Sequence, residues 1–72
     1  MIYVLEFFQR LDENGKKLRL ASEKHRLKTT EKASDYARSA ISSLVFDGVK
    51  ADGCNIKDQG GTLICEVSGD AA

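Results

Sequence analysis

The chain has no net charge. Its 72 residues carry 11 Lys and Arg against 11 Asp and Glu, so no global field draws it toward nucleic acid or a membrane surface. Proline is missing and histidine occurs once, as His25. That leaves a single imidazole base, whereas nucleophilic catalysis needs a nucleophile, a base and an orienting group within hydrogen-bond reach. The only cysteines, Cys54 and Cys65, match neither CxxC nor a zinc spacing. No apolar run approaches the roughly 20 residues of a membrane span, and MIYVLEFF lacks the basic n-region and small-residue cleavage site of a secretory signal. No repeat, low-complexity segment or linker divides the sequence. The expectation is a cytoplasmic protein with reduced cysteines, although two cysteines would also permit one disulfide outside the cell. Residues 1–72 should form one domain with a loose tail over 68–72. A chain this short has little room for a large active-site cavity.

What is present is a periodic stretch, Thr30 to Gly48, TEKASDYARSAISSLVFDG. Its apolar residues fall at Ala33, Tyr36, Ala37, Ala40, Ile41, Leu44 and Val45, the i, i+3, i+4, i+7 series of one buried helical face. Thr30 is the expected N-cap, with Glu31 and Asp35 near the positive end of the helix dipole. Gly48 is the expected C′ residue, with Val49 reaching back to Leu44 as in a Schellman motif.

A hairpin is expected on each side. Residues 2–12 are rich in β-formers and run into Asn14-Gly15, the signal for a two-residue type I′ turn, and residues 16–27 return as a second strand that ends around Arg26. With Asn14 and Gly15 as the turn, Leu11 pairs with Leu18, Gln9 with Leu20, Phe7 with Ser22 and Leu5 with Lys24. Tyr3, Leu5, Phe7, Leu11, Leu18 and Leu20 then face the helix. Ile2, Val4, Phe8 and Ala21 face away from it, beside Glu6, Arg10, Arg19, Glu23 and His25. A one-residue bulge would exchange some of these positions. In the second hairpin, turning at Gly60-Gly61, Ile56 pairs with Cys65 and Cys54 with Val67, and Leu63 extends the same apolar face.

The layout is α+β, ββαββ: a four-stranded antiparallel sheet of two hairpins with one helix across one face. Strand order 2-1-3-4 keeps all neighbours antiparallel and places the two-faced first strand inside, with 1-2-4-3 as the alternative. The N-terminal apolar strand, the helix entry TTEKASDYARSA and the closing hairpin CNIKDQGGTLICEV together resemble short uncharacterised bacterial ββαββ proteins that end in an I-x-D-x-x-G-x-L hairpin. The resemblance covers most of the chain and implies the layout. It implies no activity and no site residues.

Candidates for chemistry are few. His25, placed opposite Val4, faces away from the cysteines, which disfavours a Cys–His pair. Cys54 and Cys65 read as small buried hydrophobes. Asp52, Asp58 and Asp70 lack the alternating ligands of a calcium loop, and Gly60-Gly61 is followed by no helix, which removes the phosphate-cradle logic. No catalytic, metal or cofactor-binding residue is expected, and the protein reads as a non-enzyme.

Two surfaces remain. Arg10, Lys16, Lys17, Arg19, Lys24 and Arg26, with Lys28, give the second strand a basic stripe beside Tyr3 and Phe8, the mixture that binds single-stranded nucleic acid. Against this, Glu6 and Glu23 interrupt the stripe, and lysine on an outer strand also guards against edge-to-edge pairing. Residues 1–30 hold seven basic and four acidic residues and residues 31–72 hold four and seven, an asymmetry that also suits head-to-tail contacts. The other surface is apolar: Ile2, Val4, Phe8 and Ala21, with Ile64 a further candidate, form a patch that one helix leaves uncovered. Burying such side chains contributes about 1.5–3 kcal/mol each before association costs. The sequence thus favours a protein-interaction or homodimerisation module working through the sheet face away from the helix, with weak nucleic-acid binding as the alternative.

Overall fold

In the computed structural model, which describes residues 1–11 and 15–68, the alternation of the first strand sets up the sheet. Strand β1 (Ile2–Arg10) turns Tyr3, Leu5 and Phe7 into the core. It is flanked by β2 (Lys17–Arg26) on one side and β3 (Gly53–Lys57) on the other, and β4 (Leu63–Ser68) closes the far edge. All neighbours are antiparallel and the order is β2-β1-β3-β4, the order expected from the sequence. Helix α1 (Thr30–Ser43) crosses one face and buries Ala33, Ala37, Ala40 and Ile41. Three of those four side chains are single methyl groups, so the helix axis comes close to Cys54, Ile56 and Val67 beneath it. No helix among the described residues is long and apolar enough to cross a membrane.

The helix begins and ends differently from the expectation. Thr29 is the N-cap: its Oγ1 accepts from the Lys32 N–H at 3.1 Å. Thr30 instead sets its Oγ1 3.3 Å from the Tyr3 hydroxyl, joining the helix to the core. At the other end Leu44 caps the helix in an extended conformation, its N–H donating to the Ala40 carbonyl. Gly48 is not at C′. Phe46 and Val49 exchange two backbone hydrogen bonds across Asp47 and Gly48, whose φ values of 56° and 83° are those of a type I′ turn. Asp-Gly suits that turn for the same reason that Asn-Gly does, because both residues tolerate positive φ. The turn folds Phe46 back onto Phe7, ring centroids 5.0 Å apart, and leaves Leu44 and Val45 exposed.

Each hairpin carries one bulge. Tyr3 pairs with His25, Leu5 with Glu23 and Phe7 with Ala21, but Phe8 pairs with Arg19, so Leu20 is an extra residue in β2. In the second hairpin Ile56 pairs with Cys65 and Cys54 with Val67 as expected, whereas Lys57 pairs with Leu63 and Ile64 is extra. The expected pairs survive because the turn is longer than Gly60-Gly61 alone. The Asp58 N–H donates to the Thr62 carbonyl, and Asp58 Oδ1 accepts from the Gly60 and Thr62 N–H groups. One residue added to the loop is offset by one added to the strand. At the first turn, Asn14 lies outside the described residues, as do residues 69–72 of the expected tail.

Candidate binding face

The face of the sheet opposite α1 is built by the residues that pair across it. Ile2 lies beside Arg26, and Val4 between Lys24 and Lys57. Glu6 lies between Ser22 and Asn55, Phe8 between Arg19 and Gly53, and Arg10 beside Lys17. Strand β4 adds Leu63, Glu66 and Ser68. Among the described residues six cations therefore share this face with two carboxylates, in a chain whose total charge is zero.

The bulge at Leu20 produces that imbalance. Because side chains alternate along a strand, one extra residue moves everything beyond it to the other face. Ala21, Glu23 and His25, expected away from the helix, stand instead beside the core residues Phe7, Leu5 and Tyr3. Leu20 packs against the core with Ala21. Glu23, which would have interrupted the basic stripe, is thus removed from it. Its carboxylate lies 2.9 Å from His25 Nε2, and the His25 ring rests against Tyr36 with centroids 4.3 Å apart. Burial, then the charge of Glu23 and the hydrogen bond the phenol donates to it, push the Tyr36 phenol up from its usual value. Lys16 precedes β2, its carbonyl accepting from the Leu11 N–H. Leu11 and Leu18, expected in the core, are exposed beyond the reach of the helix.

Within the open face the two ends differ. At the β1–β2 turn end Phe8 is only 3% exposed. Lys17 Nζ sits 4.4 Å above its ring and the Arg10 guanidinium 5.7 Å, while Glu66 holds both cations at 2.7 and 3.2 Å. Such cation–π contacts contribute about 0.5–1 kcal/mol at exposed sites. Lys17 foremost, through its hydrogen bond, holds the Glu66 carboxyl below the usual carboxylate range. Phe8 is therefore roofed, and neither it nor Tyr3, which is buried against the helix, offers the stacking surface expected of it. In mid-face Glu6 pairs with Lys57 at 3.0 Å and more loosely with Arg19 at 3.7 Å.

The other end is unroofed. Ile2 and Val4 are half-buried, and Leu63, turned toward Lys57 by the Ile64 bulge rather than toward the core, is 54% exposed. Beside them Lys24 and Arg26 are exposed and have no ion-pair partner among the described residues. Of the four residues expected to form an apolar patch, Ile2 and Val4 are available, Phe8 is covered and Ala21 is on the helix side. Leu63 joins Ile2 and Val4 instead of extending the helix-side face, because of a bulge for which the sequence carries no mark.

His25 shares the helix side with both cysteines, so their expected separation on opposite faces does not hold. Chemistry separates them instead. Burial, with the neighbouring Cys65 next in importance, pushes the Cys54 thiol up to about 12, which keeps it a neutral hydrophobe and a poor nucleophile. Both cysteines are free, and Cys65 Sγ lies 3.7 Å from Ser34 Oγ. Among the described residues no group of three His, Cys, Asp or Glu side chains is placed to hold a metal ion. Comparison of the chain with protein-family models, with curated proteins and with solved structures finds no match.

Proposed function

We propose that the protein is a non-enzymatic protein-binding module of the cytoplasm that works through the open face of its sheet, at the end formed by Ile2, Val4, Leu63, Lys24 and Arg26. One observation carries this reading: the exposed Leu63 and the half-buried Ile2 and Val4 lie beside two cations, Lys24 and Arg26, that no carboxylate among the described residues pairs with. Such a surface is hydrated at a cost that a partner removes. Homodimerisation by stacking two open faces is disfavoured, because six cations would meet six across a desolvated interface. The photo-crosslinking amino acid benzoylphenylalanine, placed at Ser22, exposed on the open face next to Lys24, in cells that make the protein, should yield discrete protein adducts, and at Ser39 on the outer helix surface it should not. Equal labelling from both positions, or none from Ser22, would refute the reading.

The charge of the open face favours a second reading, sequence-independent nucleic-acid binding along β2. Phosphate contacts need only cations, and Lys17, Arg19, Lys24 and Arg26 run the length of that strand on one face. The roofing of Phe8 removes base stacking from it. Binding to an oligonucleotide that falls steeply with salt and is abolished by Arg19→Glu would support this reading, and no binding at low salt would end it.

A further inference from the structure

We infer that the occupant of the open face is a short acidic segment of another protein with an apolar centre. The inference rests on the protein-binding reading above. Three features of the unroofed end select this chemistry. The first is size. Along the strands Ile2 and Val4 are about 7 Å apart, and β2 to β4 spans three strand spacings, about 14 Å. With its side chains the surface offers a few hundred Å², well below the roughly 800 Å² per partner of a standard interface, which suits a segment a few residues long and not a second copy of the chain.

The second feature is the order of charges. Across the row through Val4 stand Lys24, Val4, Lys57 and Leu63, and Arg26 flanks Ile2 in the next row. Apolar and cationic side chains alternate, so a ligand must carry both apolar groups and carboxylates to satisfy the row. A uniformly charged polyanion would leave Val4 and Leu63 facing phosphates. The third is availability. Lys57 already answers Glu6, whereas Lys24 and Arg26 answer no carboxylate among the described residues, and these two lie at the apolar end and not at the roofed one.

The test is a fluorescence-anisotropy titration of the intact chain with a labelled peptide that has a Val-Leu centre between glutamates. The controls are the same peptide with lysines for glutamates, polyglutamate, and oligothymidylate of matched length. Specific binding of the Glu-flanked peptide is expected, weakened about tenfold by Lys24→Glu with Arg26→Glu. Both positions are exposed, so the variants keep the fold, which circular dichroism checks. Glu66→Gln, at the roofed end, should not weaken binding. Failure of the Glu-flanked peptide to bind, equal binding of the lysine peptide, or tighter binding of polyglutamate or oligothymidylate would each overturn the inference. If crosslinks from Ser22 form in cells while this peptide fails, the assigned chemistry is wrong and the protein-binding reading stands. If both fail, that reading falls with it.

Discussion

Adding one methyl group at Gly53 tests whether half of the open face is closed. A Cβ built on Gly53 would lie 2.6 Å from Phe8 Cζ and 2.8 Å from the Val67 carbonyl oxygen, against the 3.4 Å at which ordinary contact begins. Neither neighbour has an easy retreat. The Phe8 ring is held under Lys17 and Arg10, and the Val67 carbonyl belongs to the backbone paired with Cys54. Overpacking of this kind costs about 1–3 kcal/mol. Gly53 has no positive φ, so without the clash Gly53→Ala would instead stabilise by about 0.4–1 kcal/mol through the unfolded chain. The two effects have opposite signs, and the clash should win by about 1–2 kcal/mol. In a domain of this size that lowers the melting temperature by roughly 5–15 °C. Thermal melts followed by circular dichroism would show it. Phe8→Leu should cost less in the Gly53→Ala background than in the parent, because the smaller side chain relieves part of the overlap. An unchanged or raised melting temperature for Gly53→Ala would refute the closed geometry around Phe8.

Three further outcomes follow from the same contacts. Thr29→Ala should cost about 1 kcal/mol in denaturant unfolding and Thr29→Ser much less, since only the hydroxyl caps the Lys32 N–H. The Cys54 thiol keeps its proton to about 12 when folded, above its ordinary 9.0. Between those values the unfolded chain releases a proton that the folded chain holds, so stability should fall as pH rises, and Cys54→Ala should flatten that limb of a pH–stability curve. Glu66 behaves in the opposite sense: its carboxyl is lowered by Lys17, so its contribution is present above the ordinary carboxylate value and lost as pH falls through the lowered one. Because both partners are partly exposed, Glu66→Gln should reduce the total stability lost on acidification by no more than about 1 kcal/mol.

Most of the architecture is legible in the residue pattern because it rests on period and on strong local signals. The 3.6-residue series through Ala33, Ala37, Ala40 and Ile41 places the helix, and the apolar character of β1 on both faces places it inside the sheet. What the pattern hides are events of one residue. Thr29 and Thr30 are chemically equivalent caps, and only the contact of Thr30 with the Tyr3 hydroxyl separates their roles. Gly48 satisfies a helix C′ and a type I′ turn equally well, and the packing of Phe46 on Phe7 decides for the turn. Neither Leu20 nor Ile64 is a residue type that announces a bulge, yet the two bulges determine which side chains reach the open face. The candidate surface was therefore half legible: Ile2, Val4, Lys24 and Arg26 are in place, while Ala21 leaves, Leu63 joins and Phe8 is covered for reasons that involve contacts distant in sequence.

The sorting of charge onto one face hinges on the extra residue in β2, and nuclear Overhauser contacts in the NMR spectrum of the free protein test it directly. Contacts of the Ala21 methyl with the Phe7 ring and of the His25 ring with the Tyr36 ring are expected, with Glu23 on the helix side. Contacts that place His25 beside Val4, away from the helix, would return Glu23 to the basic stripe and contradict the assignment of the open face as a docking surface for an acidic partner.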